Sequence, residues 1–175
     1  MVKIIALIVI VLIVALLIYA ATKPDMFRIQ RTTRINAPPE KIFPHLNDFH
    51  CWVVWSPWEK MDSALKRTYS GATNGKGAVY QWEGNGKVGS GRMEIMESST
   101  PSHITIALNF IKPFEAHNIA EFTLDAQGDA TNATWAMYGP SPYIAKIMHV
   151  FFNMDSMVGK QFEEGLANLK TIAEH

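Results

Sequence analysis

Bond-making chemistry needs particular residue types held close together, and this sequence offers few. His50 and Cys51 are adjacent, but a thiol–imidazole pair works only in spatial contact, and chain neighbours often point apart. Glu59 and Asp62 could act as acid and base; the expectation for both is solvation at the surface. There is no GxSxG, no phosphate-binding loop and no dinucleotide glycine fingerprint. Gly84-x-Gly86 and Gly89-x-Gly91 lie on or beside a hairpin and open no helix. The six histidines form no HxxxH or HxH pair and Cys51 is the only cysteine, so no metal site or internal disulfide is expected. No catalytic residue is assigned and no cofactor is called for. Asn118 is the polar residue of most interest, because it shares the phase of Ala116, Ala120, Phe122 and Leu124 in an alternating segment. A buried amide needs partners, and backbone, water or a ligand oxygen would each serve.

Aromatic rings carry more of the functional signal than titratable groups. Phe49, Trp52, Trp55 and Trp58 crowd one short stretch, and Trp52 and Trp55 are spaced for a helical turn that Ser56-Pro57 ends. Three indoles this close form a core wall, a ligand gate or a membrane-interface belt. The elements that must position them follow from periodicity. Phe27–Asn36 reads as a first strand, with Phe27, Ile29 and Ile35 against Arg28, Gln30, Arg31 and Arg34. Ala37-Pro38-Pro39-Glu40 starts a helix with Ile42, Phe43 and Leu46 on its apolar face.

Further strands are predicted at Ala64–Tyr69, Ala78–Glu83, Val88–Ile95, His103–Phe110, Glu115–Leu124 and Ala130–Tyr138. Asn85-Gly86 signals a two-residue hairpin. Counted from it, Trp82 faces Gly89 and Tyr80 faces Gly91, with Tyr80, Trp82, Met93 and Ile95 on one face and Gln81, Glu83, Arg92 and Glu94 on the other. Tyr143–Phe152 reads as a helix apolar nearly all round, which is buried on both sides or faces something greasy. The last helix, Asp155–Ala173, puts Val158, Phe162, Leu166, Leu169 and Ala173 on one side, with Asp155 and Ser156 as expected caps. Gly165 sits in that stripe at a cost of about 1 kcal/mol relative to alanine. It serves either close packing or room for a ligand. The expected fold class is α+β, a curved antiparallel sheet of about seven strands around the long C-terminal helix.

Composition bounds the rest. With 16 basic and 16 acidic residues the formal net charge is +0, which gives no footprint for nucleic acid. Ile4–Ala21 is an uncharged apolar run flanked by Lys3 and Lys23, about 27 Å long as a helix and close to the hydrocarbon thickness. It is longer than the apolar core of a signal peptide, and no convincing cleavage site follows Tyr19. Residues 1–23 are therefore expected to be a single-pass N-terminal membrane anchor and residues 24–175 a ligand-binding domain. Lys23, Arg28, Arg31 and Arg34 lean towards a cytoplasmic domain, but from Arg28 onward they belong to a strand, so the side stays open.

Several strings carry a family likeness: INAPPEKIF (Ile35–Phe43), LNDF (Leu46–Phe49), WSPWEK (Trp55–Lys60), KRTYSG (Lys66–Gly71), VGSGRMEI (Val88–Ile95) and MDSMVGKQFEEGLANLK (Met154–Lys170). With the element order, they resemble the START-like, helix-grip superfamily, most closely its SRPBCC, polyketide cyclase/dehydrase-like branch. The resemblance covers residues 27–173. It implies the helix-grip fold and a cavity between sheet and C-terminal helix, but no reaction, because one fold hosts carriers, allergens and cyclases alike. The residues expected to line the cavity are Trp52, Trp55, Trp58, Tyr80, Trp82, Phe110, Asn118, Trp135, Met137, Phe162 and Gly165. The expected function is membrane-tethered binding of a hydrophobic small molecule or lipid. The alternatives are a cyclase- or dehydratase-like enzyme on a hydrophobic substrate, and a structural or partner-binding membrane protein with a filled core.

Overall fold

The computed structural model describes residues 1–175. Helix α1 (Val2–Ala21) is apolar, long enough to cross a membrane, and exposed along nearly its whole length. Strand β1 (Met26–Ile35) follows, then α2 (Pro39–Asn47) and the single turn α3 (Trp52–Trp55), flanked by 3₁₀ turns at Phe49–Cys51 and Pro57–Lys60. Six strands come in succession: β2 (Lys66–Gly71), β3 (Ala78–Glu83), β4 (Ser90–Ser99), β5 (His103–Lys112), β6 (Ala116–Gln127) and β7 (Ala130–Pro140). Helices α4 (Tyr143–Phe151) and α5 (Met154–Ala173) complete the chain.

All strands join one antiparallel sheet in the order β1-β7-β6-β5-β4-β3-β2. Successive strands pair through short turns, as chain connectivity favours, and β1 closes on β7. The edges are therefore β1 and β2, and α2 and α3 carry the chain between them. The sheet has visible causes of curvature. Irregularities in the β4–β5 register fall at Ser90/Gly91 and Ile95/Glu97, and bulges of this kind bend a strand and add twist. The indole of Trp82 lies on Gly91, where an added Cβ would come within 2.3 Å of the ring. The α+β helix-grip architecture is thus the observed one.

α5 packs its buried face, Phe162, Gly165, Leu166, Leu169 and Ala173, against the sheet and α3. Each large side chain buried this way contributes about 1.5–3 kcal/mol. The α2 end meets the same core. Helix C-terminal carbonyls need donors, and here the indoles of α3 supply them: Trp55 Nε1 donates to His45 O at 3.0 Å and Trp52 Nε1 to Leu46 O at 3.1 Å.

Several expectations need correction. The β3–β4 register is two residues from the one counted: Trp82 faces Gly91 and Tyr80 faces Met93. The connection is longer because Gly84 N donates to Gly89 O and Gly89 N to Asn85 O, with Gly89 at a φ of 66°. A shift of two preserves side-chain parity, so the faces are unchanged. β2 begins at Lys66, since Asp62 Oδ1 accepts from Ala64 N at 2.9 Å and holds that segment in a turn. The α5 cap is Asn153, whose Oδ1 accepts from Ser156 N at 3.0 Å. Asp155 is instead engaged by Arg31, which shares the inward phase of Ile29 and is not among the outward polar residues of β1. The Arg31 guanidinium also holds Glu163 at 2.6 Å and crosses α5 at Gly159, where a Cβ would meet it at 2.0 Å.

Candidate functional site

The concave face of the sheet has a closed end and an open end. Trp135 is the centre of the closed end. Its ring stacks on Phe162 at 4.2 Å and on Phe122 at 5.0 Å, with Trp55 at 5.3 Å and Trp58 at 5.4 Å edge-on. Trp52 stands 4.9 Å from Trp55 and completes the cluster. Gly165 lies against this group: a Cβ there would sit 2.8 Å from Trp135 Cζ3 and 3.2 Å from Pro57 Cδ. Close packing is therefore what the glycine provides, and it opens no space. The indole N–H of Trp135 is buried without an acceptor in the protein. Six of the predicted lining residues, Trp52, Trp55, Trp58, Trp135, Phe162 and Gly165, thus come together, and they fill the space between sheet and α5.

Tyr80, Trp82 and Phe110 form a second aromatic row, linked by ring distances of 6.1 and 5.8 Å. Phe49 joins this row to the first cluster, 5.9 Å from Tyr80 and 5.2 Å from Trp52. At its head lies a polar group that sequence reasoning did not assemble. The Glu59 carboxylate is only 6 % exposed; it accepts from Tyr80 Oη at 2.5 Å and from Arg67 Nε at 2.6 Å. Asp62 is buried too, and its Oδ2 accepts from Asn85 N at 2.7 Å. The expected surface solvation of both acids is wrong: Glu59 is held by Tyr80 and Arg67, and Asp62 by the amides of Ala64 and Asn85. Nothing in the spacing of Glu59, Arg67 and Tyr80 announces this meeting. A buried carboxylate requires compensation, and Arg67 supplies it.

The chemistry available there is limited. Burial first, and the hydrogen bond to Glu59 second, push the Tyr80 phenol far above its ordinary range, so it remains a neutral donor committed to Glu59. Burial, then Asp48, also pushes the Cys51 thiol upward, away from the reactive thiolate. His50 turns to Asp48 at 2.8 Å and stacks on Tyr69 at 4.1 Å.

Burial along the strands defines the open end. On β5, Ile104 and Ile106 are fully buried, while Leu108 and Phe110, on the same face, are only partly covered. On β1, Ile29 is buried and Phe27 is not. Asn118 sits at this boundary, opposite Leu108 and 8 % exposed, with Oδ1 against Gly139 and no hydrogen bond from its carboxamide to the protein. Met137 is buried nearby between Ile29 and Ala120. A groove of about 490 Å³ opens beside Phe27 and Ile29, walled by the α4–α5 junction from His149 to Asp155.

This arrangement has counterparts. Residues 26–174 match the family described as polyketide cyclase / dehydrase and lipid transport. The chain belongs to that family. No curated protein matches the sequence. Among solved structures, protein CV1439 from Chromobacterium violaceum superposes with a TM-score of 0.60 at 14 % identity, covering 87 % of this chain and 99 % of that one. Protein MLL2253 from Mesorhizobium loti gives 0.61 at 15 % identity, over 83 % and 96 %. The di-domain ARO/CYC BexL of the BE-7585A biosynthetic pathway gives 0.64 at 11 % identity, over 90 % of this chain and 53 % of that one. At such identities the likeness of these structures to this polyketide cyclase / dehydrase and lipid transport family member is one of fold.

Proposed function

We propose that residues 24–175 bind a hydrophobic small molecule or lipid at the open end of the concave face, and that residues 1–23 tether this domain to a membrane. The observation that carries the reading is Asn118. Its carboxamide makes no hydrogen bond to the protein although the residue is only 8 % exposed, so it is free to pair with a ligand oxygen while the ligand's apolar body lies on Leu108, Phe110 and Phe27. In this reading Tyr80, Trp82 and Met137, which lie on the same face of the sheet, border the ligand. Trp52, Trp55, Trp58, Trp135, Phe162 and Gly165 form the floor beneath it. Family membership supports the apolar ligand class, and the length and apolarity of α1 support the tether.

Two measurements test the reading. Native mass spectrometry of the detergent-extracted full chain should detect a co-purifying lipid. Anthrone, which carries a ring carbonyl, should change tryptophan emission saturably, and Asn118→Leu should weaken it about two- to tenfold, the worth of one hydrogen bond, with anthracene little affected. Unchanged emission at excess probe, with neither probe nor lipid retained, would overturn it.

A further inference from the structure

We infer that α4 is a membrane-docking surface that lies in the headgroup region of the bilayer spanned by α1 and brings the mouth of the groove to the lipid. The inference rests on the tether proposed above and adds an orientation to it. Ile144, Met148 and Phe151 recur at i, i+4 and i+7 along one side of α4, and Ile144 and Phe151 are 68 % and 66 % exposed. Tyr143 and Phe152 widen this face, and nothing in the chain covers it. The only formal charge of the helix, Lys146, is turned inward, its Nζ donating to Asp25 Oδ1 at 2.5 Å. An uncharged apolar stripe of this size, exposed on one side, is what an interfacial helix presents.

The occupant follows from where α4 sits. Tyr143 Oη donates to the backbone oxygen of Leu17 at 2.7 Å, and Ala20 is fully buried at the same junction. Leu17 is one turn from the end of α1, about 6 Å along its axis. α4 is thus pinned at the depth where a span starting near Val2 would leave the hydrocarbon. Tyr19 and Lys23 mark that depth too, with Lys23 Nζ donating to Tyr19 Oη at 2.8 Å, the residue types that settle at membrane interfaces. Phe151 and Phe152 belong both to the exposed face and to the wall of the groove. An apolar ligand would therefore pass between bilayer and groove without crossing water.

The test uses the full chain with Cys51→Ser and one new cysteine at Ile144, Phe151, Leu12 or Lys76, each carrying an environment-sensitive fluorophore. The proteins are reconstituted into phosphatidylcholine vesicles with shallowly brominated chains, and near-UV circular dichroism checks that each keeps the parent fold. Labels at Ile144 and Phe151 should shift to the blue and lose most of their emission to the bromolipid, as the Leu12 label should, while the Lys76 label keeps its emission. Quenching at Leu12 without quenching at Ile144 and Phe151 overturns the docking while the tether stands. No quenching at Leu12, with protein that does not float with the vesicles, removes the tether and the inference with it. Labels at Ile144 and Phe151 shielded from both bromolipid and aqueous iodide would place a second protein copy on the face and overturn the lipid assignment.

Discussion

Gly165 and Glu59 show how single residues acquire meaning from their neighbours. At Gly165 there is no free volume, so Gly165→Leu must displace Trp135 or Pro57. Overpacking of a core costs about 1–3 kcal/mol, against about 1 kcal/mol recovered in helix propensity. We expect a net loss of stability, read as a lower urea midpoint, whereas a rise in the midpoint would place free volume beside the helix. At Glu59 the carboxylate depends on Arg67 for its charge balance. Arg67→Met should cost roughly 2–4 kcal/mol, below the range for breaking a fully buried pair because Arg67 is itself part-exposed. Tyr80 sets an alkaline limit. Its folded pKa is raised above its ordinary value of 10.0, so its contribution is complete below that pH and is lost as pH rises beyond it. Urea midpoints should fall more steeply from pH 9 to 11 in the parent protein than in Tyr80→Phe.

Among the elements, α5 is held at its start by polar contacts and along its length by burial. Asn153→Ala removes the cap and should cost about 0.5–2 kcal/mol by chemical unfolding. Acid should loosen both ends of α5 and the join between Asp25 and α4. The Arg31 hydrogen bond holds the Asp155 carboxyl below its ordinary 3.8, Lys146 does the same for Asp25, and the Asn36 amide holds Glu174 below 4.5. For carboxyls with depressed folded values the stabilisation is present above the unfolded pKa and lost as pH falls through the folded one. Stability should therefore decline below about pH 4, and the decline should be shallower in Asp155→Asn. Hydrogen exchange at the first turns of α5 would locate the effect.

The whole molecule joins a helix-grip domain to an apolar helix through two local clamps, Tyr143 to Leu17 and Lys146 to Asp25. The full chain should stay in carbonate-washed membranes, and a chain beginning at Lys23 should be soluble and folded. Recovery of a mature soluble protein starting after Ala21 would show instead that α1 is a signal peptide. With the floor filled around Trp135, the proposed binding mode predicts a ligand held near Asn118 that does not run the length of the sheet.

Periodicity alone determined the number and order of the strands, the amphipathic α5 and the long apolar α1, because each element's burial pattern repeats within a few residues and is written locally. It also determined which face of the β3–β4 hairpin is apolar, since a register error of two leaves parity intact. The family likeness was legible in the same way, in short strings such as INAPPEKIF. The tertiary structure decided what depends on residues far apart in the chain. Glu59 meets Tyr80 across 21 positions and Arg31 meets Asp155 across 124, and no local pattern encodes either encounter. Whether an aromatic ring is a wall or a filler is of the same kind. It depends on how far α5 approaches the sheet, which Gly165 permits and Trp135 then limits.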